Sequence, residues 1–435
     1  FLMLSIGFNF IPESVRAQSE NIYYFPIFMQ RKSVRGFSSI GPDGGTVTAI
    51  VIDPTNPEII YAGTWGHGIY KSLNGGERWD HQSDGFRAGF VFDLAINPKN
   101  HQHLLASAYR FGAYQSFNGG KSWERTSGMP EETVVYTFAF HPENPDIVYA
   151  AVRLETVYNP SPHYPGAVYK STNGGSHWVK HSQGLPDDYV YDVAIDPRQP
   201  NVLYTAMHVT GVYKSVDGAN SWFSVNNGIH YQDVRSLDIN PENSTIYAGM
   251  YDGKGVAYST NGGASWLTIN SSINQGLYVY RLQLDPHDQK SLYLNTPDGL
   301  FRCGGDSYPS SLSVCARIAH DNRYVFALAL DKSSAASTGK IQTFYTGLQT
   351  HGLYKTTNAG QNFSTSFSGL KANVVLSLLN DPESPAILYA SILGRGVFKS
   401  MDFGQNWLAI RDGMTAKNIN HLTFRPGNSQ VLYAG

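Results

Sequence analysis
Apolar residues along the chain alternate with polar ones over runs of four to six positions, and short turn-forming clusters separate the runs. Residues 47–52, 59–62, 68–72 and 79–82 are four such runs, with Asp53-Pro54, Gly63-Thr64 and Asn74-Gly75-Gly76 among the breaks. A two-residue period over so short a span predicts β-strands, and the breaks supply turn chemistry between them. We denote these four strands A to D. Pro after Asp closes strand A because it cannot donate to a ladder.

The four-strand unit recurs. The segment Ser72-Leu-Asn-Gly-Gly-Glu-Arg-Trp79 reappears at 116–123, 171–178, 215–222, 259–266, 356–363 and 400–407, so its last residues lie 44, 55, 44, 44, 97 and 44 positions apart. The interval of 97 holds two modules, the first of which has lost its segment around residues 301–318. A second marker ends strand A at Asp53-Pro54, Asn97-Pro98, His141-Pro142, Asp196-Pro197, Asn240-Pro241, Asp285-Pro286, Asp381-Pro382 and Arg425-Pro426, with Asp331-Lys332 in the remaining slot. Four-stranded modules of this length stack radially, each sheet covering its neighbour, so an all-β propeller is expected. At the C to D turn Asn74, Asn118, Asn173, Asp217, Asn261, Asn358 and Asp402 are placed to accept backbone N–H bonds. Trp79, Trp123, Trp178, Trp222, Trp266, Phe363 and Trp407 are placed to return into the space between sheets as core.

The pattern S-x-[N/D]-x-[G/A]-x-x-[W/F] resembles the Asp-box, or BNR, repeat of sialidases, sortilin-type receptors, xyloglucanases and photosystem II assembly propellers, and the resemblance covers residues 37–435. It implies the fold more strongly than any activity. Residues 37–41 read as a solitary strand D and 418–435 as strands A and B of a ninth unit, which favours a ring of eight or nine blades and an incomplete C-terminus. A seven-bladed ring followed by the start of a second is the alternative.

Composition narrows the function. Lys plus Arg number 32 against 34 Asp plus Glu, with no basic stripe, which argues against nucleic acid as a partner. Charged residues are 15% while Tyr number 28, Phe 22 and Gly 43, in keeping with strands and tight turns. The apolar run 1–11 is too short for a membrane span and suits a signal-peptide core, with Val15 and Ala17 ahead of a cleavage point before Gln18. We therefore expect a signal-peptide remnant at 1–17, a linker at 18–36, the propeller at 37–435, and a secreted or extracytoplasmic protein with no transmembrane span in this segment. The two cysteines, Cys303 and Cys315, fall in the module without its box and are expected to form a disulfide in an oxidising compartment.

Strand alternation puts the B to C and D to A loops on one face, opposite the boxes. That loop-rich face carries Trp65, His67, Tyr109, Arg110, His208, Tyr251 and, in an insertion of the third module, Tyr164. Aromatic rings interleaved with hydrogen-bonding groups suit a polysaccharide, and such a face also suits a protein ligand. Trp65 is the one Trp outside a box and is expected to be the main anchor. A catalytic reading rests on Asp93 and Asp192, at one shared position of strand A. Against it, the Arg-Thr-Asp-x-Gly-Gly segment of xyloglucanases is matched here by Gly63-Thr-Trp-Gly-His67, with Trp65 in the place of the catalytic Asp, and the arginines and Phe-Arg-Ile-Pro motif of sialidases are missing. The sequence offers no metal-binding or cofactor motif, and we expect neither. The leading expectation is a secreted, non-catalytic recognition propeller. A xyloglucanase-like glycoside hydrolase and a structural module of a larger envelope protein are the alternatives.

Overall fold
The computed structural model describes residues 46–434 apart from 155–164, 230–231, 252, 254, 270–276, 305–314, 321, 335–340, 350, 366–374, 382–383, 385–386, 393–394, 402–406, 411–421 and 426–427. The expected signal-peptide remnant, linker and solitary strand at 37–41, the third-module insertion with Tyr164, and Asp402 lie outside these residues.

The first module forms an antiparallel sheet of β1 (Val47–Asp53), β2 (Asn56–Thr64), β3 (Ile69–Ser72) and β4 (Asp80–His81), in sequence order. Seven more four-stranded antiparallel sheets repeat this arrangement at 94–125, 133–180, 190–224, 234–268, 281–319, 325–365 and 375–409, and a two-stranded sheet follows at 422–434. Turn chemistry explains the regularity. Asp53 Oδ1 accepts the N–H groups of Thr55 and Asn56 at 2.9 and 3.2 Å, so the marker residue closes its own turn before Pro ends the ladder. His141 performs the same task in the third sheet, its Nδ1 accepting from Glu143 and Asn144. At the C to D turn Ser72 Oγ donates to Asn74 Oδ1 and accepts from Gly76 N, and Asn74 Oδ1 accepts from Arg78 N at 2.9 Å. Asp217 repeats this geometry toward Ser215 and Ser221.

First strands lie against first strands in successive sheets, so they line the centre, and the core is divided among the seams between sheets. Six buried clusters join sheets one to two, two to three and so on to six to seven. A seventh joins seven to one: Ala327, Tyr345 and Leu353 pack with Val47, Ile60, Tyr70 and Trp79. A recurring polar strut marks the same closure. Tyr61 and Lys71 of the first sheet both donate to Gly119 O in the second, Tyr149 and Lys170 of the third to Gly218 O in the fourth, and Tyr345 and Lys355 of the seventh to Gly75 O in the first. Seven sheets therefore close the propeller. The expected ring of eight or nine blades gives way to the alternative, because the seam that an eighth blade would need is already filled by the first sheet. The eighth sheet packs instead on the two-stranded one, through Val397, Tyr389, Leu422 and Leu432.

Trp79, Trp123, Trp178, Trp222 and Trp266 are buried at the seams, and Trp123 Nε1 donates to Gln82 O of the preceding sheet at 2.9 Å. Phe363 packs at the seam of sheets six and seven and Trp407 against Ala390, Ile392 and Phe398. The sixth sheet keeps four strands without its box, and there Cys303 and Cys315, direct partners across the two outer strands, are joined as a disulfide.

Candidate functional site: an aromatic collar at the channel mouth
Strand A decides what the centre of the ring presents. Counting five residues back from each strand-A marker gives Thr48, Phe92, Tyr136, Tyr191, Arg235, Tyr280 and Phe326 in sheets one to seven. In the first, third, fourth, fifth and seventh sheets the ladder skips this residue. A bulge of this kind adds one residue to one strand and re-aims its side chain. Seven residues back from the marker stand Phe90, Tyr189, Tyr278 and Tyr324, one tier nearer the loop-rich face, with Asp233 in the fifth sheet. Between the tiers a Val occurs in every sheet: Val47, Val91, Val135, Val190, Val234, Val279 and Val325 are all buried and hold the strand to its neighbour.

The aromatic side chains touch in sequence around the mouth. Trp65 lies edge-on to Phe90 with centroids 5.6 Å apart and tilted toward Phe92 at 6.5 Å. Phe92 meets Tyr136 at 5.8 Å, and Tyr136 meets Tyr191 at 5.0 Å. The Arg235 guanidinium then sits between two tyrosines, 4.1 Å from the centroid of Tyr191 and 4.4 Å from that of Tyr251. Tyr251 continues to Tyr280 at 4.8 Å, and Tyr280 to Tyr324 and Phe326. Thr48 interrupts the collar, its hydroxyl donating to Val91 O.

The charges in the collar are paired. Asp233 holds Arg235 in a two-pronged bond, Nε to Oδ1 at 2.6 Å and Nη2 to Oδ2 at 2.9 Å. Burial pulls the pKa of Arg235 down, but Tyr191 and Asp233 outweigh it and the net shift is upward, so the cation is permanent. Arg153 Nη1 donates to Tyr136 Oη at 3.2 Å, and the hydroxyls of Tyr251 and Tyr280 share a bond of 3.0 Å. Burial raises the pKa of Tyr191, Tyr251 and Tyr280, so all three stay neutral.

One residue deeper than the collar lies an ion-pair tie. Arg281 Nη2 of the sixth sheet approaches Asp93 Oδ1 of the second at 3.3 Å, and Arg281 keeps 37% of its side chain open. Asp93 Oδ2 also accepts the N–H of Phe138 in the third sheet at 2.8 Å. Asp192 has a parallel arrangement, Oδ2 to Leu237 N of the fifth sheet and Oδ1 to its neighbour Val193 N. Burial raises both carboxyl pKa values, against the pull of Arg281 and of the N–H bonds. Each acid thus stitches its strand to the next sheet.

The remaining candidates divide. Trp65 is half-buried rather than uncovered, because Phe90 and Phe92 pack on it, and its Nε1 finds no acceptor among the described residues. Tyr109 joins the collar beside Phe90 and Phe92. His208 stacks near Tyr189 and Tyr191, its Nδ1 3.7 Å from Asp188 Oδ1. Tyr251 is a collar member. Arg110 stands apart, in a left-handed backbone conformation and paired with Glu132. His67 is half-buried, with its carbonyl bonded to the His81 ring 2.9 Å away. Sequence reasoning missed Phe92, Tyr136, Tyr191, Arg235, Tyr280 and Phe326, although alignment of the modules on the strand-A marker puts them in one column. Among the described residues no cluster of His, Cys, Asp and Glu could hold a metal, and no helix is long and apolar enough to cross a membrane.

No family model and no curated protein matches the chain. Solved structures do. An ancestral GH74 enzyme superposes with a TM-score of 0.66 at 19% identity, over 89% of this chain and 57% of its own. The GH74 xyloglucanase from Xanthomonas campestris follows at 0.64 and 16%, over 87% and 69%, and a GH74 enzyme from Niastella koreensis at 0.63 and 14%, over 91% and 70%. These likenesses establish the β-propeller fold. The chain spans little more than half the length of the ancestral enzyme.

Proposed function
We propose that the protein is a non-catalytic recognition propeller of the extracytoplasmic space that binds a polysaccharide at the aromatic collar. The observation that carries this is the near-continuous ring of aromatic residues drawn from all seven sheets to one mouth. Sugar rings present C–H faces that stack on aromatic rings, and the charged groups around the collar are already paired, which favours a neutral ligand. The fold likeness to a GH74 xyloglucanase makes xyloglucan the first glycan to try.

The test is a glycan array that includes xyloglucan, followed by calorimetric titration of the wild type, Trp65→Ala and the control Lys99→Ala at the opposite, A to B face. An aromatic anchor at a binding site contributes about 2 kcal/mol or more, so Trp65→Ala should weaken binding roughly thirtyfold. Equal affinities of the two variants would sink the proposal. A glycoside hydrolase is the second reading, because burial raises the pKa of Asp93 and Asp192 and a general acid works with a carboxyl pKa above the usual range. Release of reducing sugar by the wild type but not by Asp93→Asn would favour it over recognition alone.

A further inference from the structure
The Arg281–Asp93 tie changes what the collar can accept. In a ring of seven, the second and sixth sheets are not neighbours: two sheets separate them on one side and three on the other. Their salt bridge therefore crosses the channel, and Asp192 of the fourth sheet adds its charge to the same group. Because Asp93 and Arg281 each follow a collar residue, Phe92 and Tyr280, the tie lies directly beneath the aromatic rings. The mouth thus has aromatic walls with an ion pair spanning the channel beneath them.

We infer, on the reading that this mouth binds a glycan, that it takes the end of a chain rather than an internal stretch. The two aromatic tiers are two residues apart on strand A, so at about 3.3 Å per residue the walls are roughly 7 Å deep. A terminal sugar entering along the axis meets rings on several sides at once. An internal segment lying across the rim meets only the upper tier, and threading the channel would mean displacing the Arg281–Asp93 pair.

The experiment uses the full chain with two probes, xyloglucan polymer and the oligosaccharides of its exhaustive digestion, each with free ends, with borohydride-reduced ends and with the non-reducing end capped. End recognition requires equal affinity per chain end for polymer and oligosaccharide, and at least a tenfold loss on modification of one end but not the other. Affinity that scales with backbone length and ignores both end modifications would overturn end recognition while leaving glycan binding in place. Binding of neither probe, or binding indifferent to Trp65→Ala, would overturn the glycan reading and end recognition together.

Discussion
The seam between the seventh and first sheets can be tested with two atoms. Tyr345 is 2% exposed, and its hydroxyl donates to Gly75 O at 2.8 Å; Lys355 Nζ donates to the same carbonyl at 3.0 Å and lies 5.5 Å from the Tyr345 ring centroid. Tyr345→Phe removes one bond but leaves the carbonyl bonded to Lys355, so the cost should be about 1 kcal/mol. Lys355→Met removes a charged donor and a cation over a ring, for about 2 kcal/mol. The double variant leaves Gly75 O with neither donor. The desolvation cost of an orphaned carbonyl is then added, and the double loss should exceed the sum of the singles by about 1 kcal/mol. Tyr61→Phe and Lys71→Met at the first seam, where the bonds to Gly119 O are 3.1 and 2.9 Å, are the matched controls. Thermal and urea midpoints of all variants suffice for the comparison, with roughly 2 °C expected per kcal/mol in a chain of this size. If the ring holds eight or nine sheets, the first and seventh never meet. Unchanged midpoints for Tyr345→Phe and Lys355→Met, with lowered ones for Tyr61→Phe and Lys71→Met, would refute closure at seven.

Trp123, 4% exposed at the seam of the first two sheets, should cost about 3 to 5 kcal/mol on truncation to Ala, and a loss below about 1 kcal/mol in a urea melt would remove it from the core. His320 is held neutral by burial and by the nearby charges of Arg323 and His351, which bring its pKa down to about 4. The unfolded chain protonates it first, so stability is intact above about pH 6.5 and falls toward pH 4 by at most about 3 kcal/mol. Urea midpoints of His320→Asn should fall less steeply across that window, and parallel slopes would exclude the assignment. Reduction of the Cys303–Cys315 disulfide, which spans 12 residues, should cost about 3 kcal/mol, and a melt unmoved by dithiothreitol would contradict that figure.

The strands and turns were legible because each is specified locally. Ser72, Asn74 and Gly76 complete their turn within five residues, and Asp53 closes its own. Closure was not legible, because the atoms that define it, Tyr345 Oη and Gly75 O, lie 270 residues apart and every module carries similar partners. Counting modules gives how many sheets form, not which two meet. The collar was half legible. Trp65, Tyr109, His208 and Tyr251 drew attention as loop aromatics, while Tyr136, Tyr191 and Phe326 looked like ordinary strand residues. What turns these toward the axis is a bulge, and a bulge is a mismatch of register between two strands that one strand's sequence does not display.

The acids beside the collar illustrate how a channel can imitate a catalytic site. Strand A is the inner edge of every sheet, so N–H groups on its channel side have no strand to bond, and leaving them unpaired is costly. Asp93 accepts from Phe138 N, Asp192 from Leu237 N and Asp238 from Leu284 N, each reaching into the following sheet. The same burial that makes those stitches valuable desolvates the carboxylates and raises the pKa of Asp93 and Asp192. A raised pKa at the centre of a propeller therefore follows from edge-strand chemistry alone. The collar residue before two of these acids contributes a ring instead: Phe92 before Asp93 and Tyr191 before Asp192. Neighbouring positions of strand A thus divide the work, the acid stitching one sheet to the next and the ring before it lining the mouth.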